Sequence, residues 1–348
     1  MLKIKPYAST DATRWDDFVR RSQAATFCHL AGWQQVVERT WQHRQHSLYA
    51  ERGGEITGVL PLFHIRSRWF GSMLVSTPNA VYGGVVADDV EAYRALIAAA
   101  QVLAANLKVD YLELRDTGLN DDELPEAEYH SRDLYVTFHH PLTTDEDALM
   151  KSFPRDVRRM IRQGAKHSLK VETGREELLD DFYEVYATSV RNLGTPVFPK
   201  KLFAGFLAEF PVTSDILLVR QSKRVAGAVL SFYFRDTVIP YYAGSYREFN
   251  SAGINNFMYW ELMRHSAGRG YTRFDFGRSK LGTGAYEFKR GWRMSERPLP
   301  YKFFPGLVRE MPNLNPTNPK FKPMMEVWKR LPLGLTKLIG PRIIRNIP

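Results

Sequence analysis

AERGGEITGVLPLF, residues Ala50–Phe63, and VRQSKRVAGAVLSF, residues Val219–Phe232, read as the same object. Each is a strand, a tight polar turn (Arg52-Gly53-Gly54 or Ser222-Lys223-Arg224) and a second strand, and Gly58 falls where Gly227 does. In each half an Ala- or aromatic-rich helical stretch follows, Val90–Leu107 or Ile254–Ala267. A short apolar strand holding an acid comes next, Leu112-Glu113-Leu114 or Phe274-Asp275-Phe276. Self-similarity at a spacing of roughly 165–170 residues predicts a duplicated domain and not a solenoid of short repeats.

Working outward, helical spacing covers Trp15–Ser22 and Gly32–Thr40, and His46–Ala50 and Ile56–Ile65 are expected as strands. Leu134–Phe138 is expected as a strand before Pro141 breaks it. In the second half the strands are Ile216–Gln221, Val225–Phe234 and Val238–Ala243, with charged helices over Asp156–His167 and Glu176–Arg191. The expectation is an α/β (α+β) chain with domains at 1–150 and 151–305, each a mixed sheet flanked by helices. A basic, Pro-rich amphipathic tail occupies 306–348, with Arg309, Lys320, Lys322, Lys329, Arg330, Lys337, Arg342 and Arg345 against Glu310 and Glu326. Such a segment suits peripheral contact with a membrane surface, or packs across the protein's own domains.

Composition narrows the function. The chain has 348 residues, 44% hydrophobic and 25% charged, which excludes a disordered or collagen-like protein. Lys+Arg 48 against Asp+Glu 38 gives a net charge of +10 and a preference for anionic partners. One cysteine, Cys28 in the strand-like run Ala24–Leu30, excludes a disulfide framework and a Cys-based zinc site, and reads as a small buried hydrophobe. The N-terminus MLKIKPYAST lacks a signal-peptide apolar core, and no run of some eighteen apolar residues occurs, so a cytoplasmic location is expected, peripheral at the inner membrane face if the tail docks. There is no P-loop, no dinucleotide fingerprint, no H-E-x-x-H and no G-x-S-x-G. His139-His140, at a strand end, is read as structural or exposed, and no metal is expected.

Three segments carry chemistry. FPRDVRRMIRQGAK, Phe153–Lys166, places Arg155, Arg158, Arg159 and Arg162 largely on one side of a helix, a cluster suited to phosphate or diphosphate or simply a solvated face. VIPYYAGSYREFNSAGINNFMYWELMRH, Val238–His265, is a strand, a polar loop and a helix after Gly253, where free backbone N–H groups hold anions. Tyr241 and Tyr242 on that strand are candidates to line an acceptor channel, although alternation assigns one of them to the core. FDFGRSKLGTGAYEFKRGWRMSERPLPY, Phe274–Tyr301, sets Ser279, Lys280, Lys289 and Arg290 beside a strand end, where α/β folds bind ligands.

At these residues the chain resembles FemAB-type proteins, tandem GNAT-fold (acyl-CoA N-acyltransferase-like) acyltransferases. The likeness runs from about Lys3 to Phe304. Arg191–Phe203 (RNLGTPVFPKKLF) and Phe274–Trp292 (FDFGRSKLGTGAYEFKRGW) resemble more specifically the subgroup associated with PEP-CTERM/exosortase systems of bacteria that make exopolysaccharide. The resemblance implies N-acyl or aminoacyl transfer from an activated donor to an amine of a cell-envelope or exopolysaccharide-related substrate. The co-substrate would be acyl-CoA or aminoacyl-tRNA, with no tightly bound cofactor.

By the same resemblance Phe288 and Lys289 contact the acyl-donor end and steady the oxyanion, and Arg158, Arg159 and Arg162 fall where basic residues of an inter-domain cleft hold a diphosphate. Asp275, at the strand end, is the carboxylate to test as base, ahead of Glu287; equally, the acceptor or departing group takes the proton itself. Two departures stand out: Tyr246–Gly253 (YREFNSAG) lacks the Q/R-x-x-G-x-G/A acyl-CoA loop, and no helical-hairpin insertion is present. The rival class is a GNAT-like protein without catalysis that binds an anionic polysaccharide precursor or a membrane. An RNA-binding reading lacks an RRM, KH or OB signature, and no DNA partner is expected.

Overall fold

A computed structural model describes residues 1–68, 70–117, 129–132, 134–307 and 322–347. The chain forms two compact units, one holding the described residues of 1–135, 298–315 and 345–348, the other those of 136–297 and 316–344.

Unit 1 runs β1 (Lys3–Pro6), α1 (Ala12–Arg21), α2 (Ala31–Trp41), β2 (Arg44–Gln45), β3 (Leu48–Arg52), β4 (Glu55–Leu60), β5 (Phe63–Ser67), β6 (Gly71–Val75), β7 (Val86–Ala87), α3 (Val90–Asn106), β8 (Tyr111–Arg115) and β9 (His130–Arg132). Unit 2 follows with β10 (Tyr135–Pro141), α4 (Glu146–Lys151), α5 (Arg155–Lys166), β11 (Leu169–Gly174), α6 (Leu179–Leu193), α7 (Lys200–Glu209), β12 (Ser214–Gln221), β13 (Arg224–Phe234), β14 (Thr237–Ser245), α8 (Ile254–Gly268), β15 (Arg273–Asp275), β16 (Ser279–Lys280), α9 (Gly284–Arg290) and β17 (Ser295–Pro298). The chain returns to unit 1 for β18 (Tyr301–Pro305), and α10 (Lys322–Arg330) and α11 (Leu333–Ile344) belong to unit 2.

The duplication is visible at the level of single residues. In β3–β4 the register shifts after Ala50↔Gly58, and in β12–β13 it shifts after Val219↔Gly227, so both hairpins carry a bulge at the same place. A Cβ on Gly58 would meet Leu96 of α3 at 2.9 Å, and one on Gly227 would meet Ile254 of α8 at 3.1 Å. Each glycine therefore lets the following helix lie directly on its hairpin. The strand after that helix, β8 or β15, pairs in parallel with a strand of its own unit, β6 or β14.

Among the described residues, unit 1 splits into a four-stranded sheet, β1-β3-β4-β7, and a six-stranded sheet, β2-β5-β6-β8-β18-β9. The single strand expected over Ile56–Ile65 is thus two strands in two sheets. Pro61 has no N–H to give to a ladder, and Leu62 bonds instead to the Ser47 hydroxyl at 3.1 Å. The run around Cys28 is also not a strand: Phe27–His29 is a 3₁₀ turn whose entry is held by Thr26 N–H on His29 Nδ1 at 3.1 Å, with Cys28 buried.

Unit 2 is one eight-stranded sheet along β11-β12-β13-β14-β15-β10-β16, with β17 on β10. The core between the sheet and α5 and α8 holds Phe138, Phe153, Val157, Ile161, Met258, Phe274, Phe276 and Trp292. Two boundaries differ from those the sequence suggests. The first unit ends at Tyr135 and not near 150, because β10 pairs with β15, more than a hundred residues away. The tail is not a separate module over its described residues: α10 and α11 pack on α6, with Trp328 Nε1 donating to the Thr195 carbonyl at 3.0 Å. Residues 308–321 of that tail lie outside the described residues.

Candidate active site

Parallel pairing of β14 with β15 lasts for two residue pairs, Thr237↔Arg273 and Val238↔Phe274. β14 continues to Ser245 while β15 stops at Asp275, so beyond Val238 that edge of β14 has no strand partner among the described residues. An open C-terminal edge beside a parallel strand is where α/β folds place ligands.

Asp275 closes β15 and is buried. Its register partner is His139 on β10, whose Nε2 lies 3.5 Å from Asp275 Oδ2. Thr137, two residues earlier on the same face of β10, donates its hydroxyl to Asp275 Oδ1. Gly277 N–H donates to the same oxygen at 2.9 Å; its φ of +70° is left-handed backbone that favours glycine. The carboxylate is thus fixed by hydrogen bonds from two elements, β10 and the turn after β15, with the His139 ring beside it.

The turn after Asp275 points three consecutive carbonyls inward. Lys289 Nζ donates to those of Phe276, Gly277 and Arg278 at 2.6, 3.0 and 3.3 Å. Lys289 is held there by α9, which Thr283 caps by accepting from Tyr286 N–H at 3.3 Å. Burial pushes the Lys289 ammonium down to about 7; Asp275 works against that shift and Arg278 adds to it. Phe288 packs edge-on against Phe276 and Trp292 and tilted against Tyr259, with centroids 6.0–6.4 Å apart.

Phe288 also lines a cleft of about 610 Å³, shared with Asp156, Val157 and Met160 of α5, Asn256 in the first turn of α8, and Arg290. The α8 N-terminus is close under α5: a Cβ on Gly253 would fall 2.4 Å from the Met160 carbonyl oxygen, and one on Gly164 would fall 2.6 Å from the Phe257 side chain. The cleft therefore combines an aromatic wall, a helix N-terminus, cations at Arg290 (paired with Glu287) and Arg293, and the carboxylates of Asp156 and Glu287, a lining with apolar and charged parts.

The structure brings Asp275, Phe288 and Lys289 together. Ser279 is buried on β16 and Lys280 half-buried beside it, both one turn further from Asp275. Tyr242 is in the core, 5.0 Å from the Phe203 ring, while Tyr241 is half-buried, edge-on to Phe232 at 5.5 Å. Arg158 is half-buried on α5 and Arg159 and Arg162 are exposed, but none of the three lines the cleft; α5 turns Asp156 toward it instead. Glu287 is exposed and bonded to Arg290 at 2.5 Å. Sequence reading missed Thr137 and the pairing of His139 with Asp275, because only the β10–β15 register creates them.

The corresponding strand end of unit 1 is filled. Lys302, fully buried, bonds Asp116 at 2.9 Å and the Tyr93 hydroxyl at 2.8 Å, while Arg115 bonds Glu113 at 2.7 Å. These four charges are paired, and the candidate chemistry is sought in unit 2.

Comparison with known proteins agrees on the fold. Residues 151–290 match the sequence model of the acetyltransferase (GNAT) domain family. No curated protein sequence matches the chain. Among solved structures, FemX superposes with a TM-score of 0.69 at 16% identity, covering 86% of this chain and 96% of that one. L-PGS from Bacillus licheniformis gives 0.58 at 11% identity over 95% and 97% of the two chains. A tandem GNAT protein from the clavulanic acid biosynthesis pathway gives 0.53 at 13% identity over 89% and 100%. The chain has a mixed α/β fold of two GNAT-like domains, the second of which carries the GNAT family match.

Proposed function

We propose that the protein is an N-acyltransferase or aminoacyltransferase of FemAB type. It moves an acyl or aminoacyl group from acyl-CoA or aminoacyl-tRNA to an amine of an anionic envelope or exopolysaccharide-related acceptor. The observation that carries this reading is the pairing of Asp275 with His139 at the end of β15, beside Lys289 and the open edge of β14. The donor would lie in the cleft against Phe288, with its anionic part toward Arg290, Arg293 and the first turn of α8.

In the reaction the amine nitrogen bonds to the donor carbonyl carbon, and the tetrahedral oxyanion then expels the thiolate or the ribose hydroxyl oxygen. The proton lost by the amine passes to His139, whose Nε2 lies 3.5 Å from Asp275, and from there to the leaving group. The Lys289 ammonium is the nearest cation for the oxyanion, reached by releasing one of its three carbonyls. Arg158, Arg159 and Arg162, exposed or half-buried on α5, are available to a diphosphate on the acceptor. The subgroup that accompanies PEP-CTERM/exosortase systems is favoured by Arg191–Phe203 and Phe274–Trp292.

The test is donor binding. Acetyl-CoA, longer acyl-CoAs and aminoacyl-tRNA are titrated against the wild type, Phe288→Ala and Lys289→Ala. Saturable binding of one donor class that weakens in Phe288→Ala names the donor. Absence of binding by every class overturns the enzyme reading.

A further inference from the structure

The tail helices present a surface that the proposed chemistry does not use. α10 and α11 bury Trp328, Thr336, Gly340 and Ile344, and Trp328 and Gly340 meet unit 2 at Thr195 and Val197. Gly340 is tight against the backbone of Val197, and Gly194 at the end of α6 faces Met325. The solvent side of the two helices is rich in large apolar residues, beside the exposed Glu326, which pairs with Lys329 at 2.6 Å. Met324 is 65% exposed, Val327 61%, Leu335 38% and Leu338 62%. Leu193, beside the Gly194 contact, is 64% exposed.

The order along each helix is regular. Met324 and Val327 are three residues apart, with Arg330 three further on; Leu335 and Leu338 are three apart, with Arg342 four further on. On α11 Leu335, Leu338 and Arg342 therefore share one outward side, while on α10 Val327 and Arg330 are neighbours and Met324 lies on the flank. Single exposed apolar residues need no explanation, but five gathered on two short helices and the α6 end they cover do.

Charge decides the occupant. Between Lys322 and Ile344 the sequence holds Lys322, Lys329, Arg330, Lys337 and Arg342 against the single acid Glu326; Lys329 pairs with Glu326 at 2.6 Å and Lys337 with Glu184 of α6, and Arg330 and Arg342 are the exposed guanidiniums. A second copy of the same surface would bring like charges together, whereas an anionic bilayer offers headgroups to the cations and an apolar boundary to the leucines. No helix among the described residues is long and apolar enough to cross a membrane, so the contact lies in the plane of the surface.

We propose that the outer faces of α10 and α11 dock the protein on anionic lipid bilayers through Met324, Val327, Leu335 and Leu338, with Arg330 and Arg342 on the headgroups. The proposal rests on the tail surface alone and stands or falls separately from acyl transfer.

Flotation with vesicles of phosphatidylcholine, and of phosphatidylcholine with phosphatidylglycerol in equal parts, tests it on the full chain. The wild type is expected to float with the anionic vesicles only, and to be released by salt. Val327→Glu with Leu338→Glu, and separately Arg330→Glu with Arg342→Glu, should each lower binding about tenfold or more. Circular dichroism should stay native and donor titration unchanged, since these side chains face solvent away from the cleft. A wild type that leaves anionic vesicles unbound overturns the proposal, as does equal binding by both double variants. Sedimentation velocity separates the other occupant: self-association abolished by Val327→Glu/Leu338→Glu, without vesicle binding, assigns the faces to a second copy.

Discussion

Lys289 holds its ammonium 2.6 Å from the carbonyl oxygen of Phe276 and 5.1 Å from the centre of the same residue's ring. The lysine is thus a clamp on the turn that follows Asp275, and in the proposed reaction it meets the oxyanion as well. These roles are separable. Lys289→Met should keep the fold and lower transfer about 10²–10³-fold if its charge meets the oxyanion. A purely structural clamp would lower thermal stability and leave the rate per folded molecule near that of the wild type. Steady-state kinetics beside a melting curve distinguish the two.

The depressed Lys289 value has a pH consequence with a definite sign. Its ordinary value of 10.5 falls to about 7 in the folded protein, so between these limits the unfolded chain holds a proton that the folded chain has shed. Stability of the wild type relative to Lys289→Met should therefore rise from about pH 7 toward 10.5 and stay level below 7. Asp275 favours the charged form, so Asp275→Asn should move the Lys289 midpoint further to acid. Urea unfolding across that range reads the first effect, and lysine-selective NMR titration the second.

Thr137 and His139 show where sequence reading stops. The two matching hairpins, the helices behind them and the strand ending in Asp275 all depend on local periodicity and turn chemistry, and these are legible in one chain. The carboxylate's partners are set by pairing β10 with β15 across more than a hundred intervening residues, and no spacing rule encodes that register. The same holds for β18, which leaves unit 2's sequence to join unit 1's sheet, and for the arginines of α5. Helical spacing groups them correctly, but which face meets the cleft is decided by Gly164 and Gly253 letting α8 come close.

The Thr137 hydroxyl on Asp275 gives a third expectation. Thr137→Val keeps shape and removes one bond to a buried carboxylate, at a cost of about 1.5–3 kcal/mol for a charged acceptor. Transfer should fall as well, since the carboxylate loses one of the groups that orient it toward His139. His139→Gln keeps a polar side chain at that position and should lower the rate while leaving donor binding intact. A His139→Gln enzyme as fast as the wild type at every pH would remove the histidine from the proton path.

Unit 1 supplies the last prediction, because its strand end holds charges with no water to fall back on. Lys302 is fully buried against Asp116 and Tyr93, so Lys302→Met strands the Asp116 carboxylate inside the unit. Breaking one side of such a pair costs about 3–5 kcal/mol, whereas replacing both sides with uncharged groups of similar volume is often close to neutral. The double variant Lys302→Met/Asp116→Asn should therefore recover most of the stability lost in Lys302→Met. Equilibrium unfolding in urea of the wild type, both single variants and the double gives the coupling directly. A large positive coupling means that the filled strand end is a structural replacement for the open one in unit 2. A near-additive result would mean that Lys302 contributes through other contacts, such as its ammonium over the Tyr93 and Tyr129 rings at 5.4 and 5.2 Å, and not through its pair with Asp116.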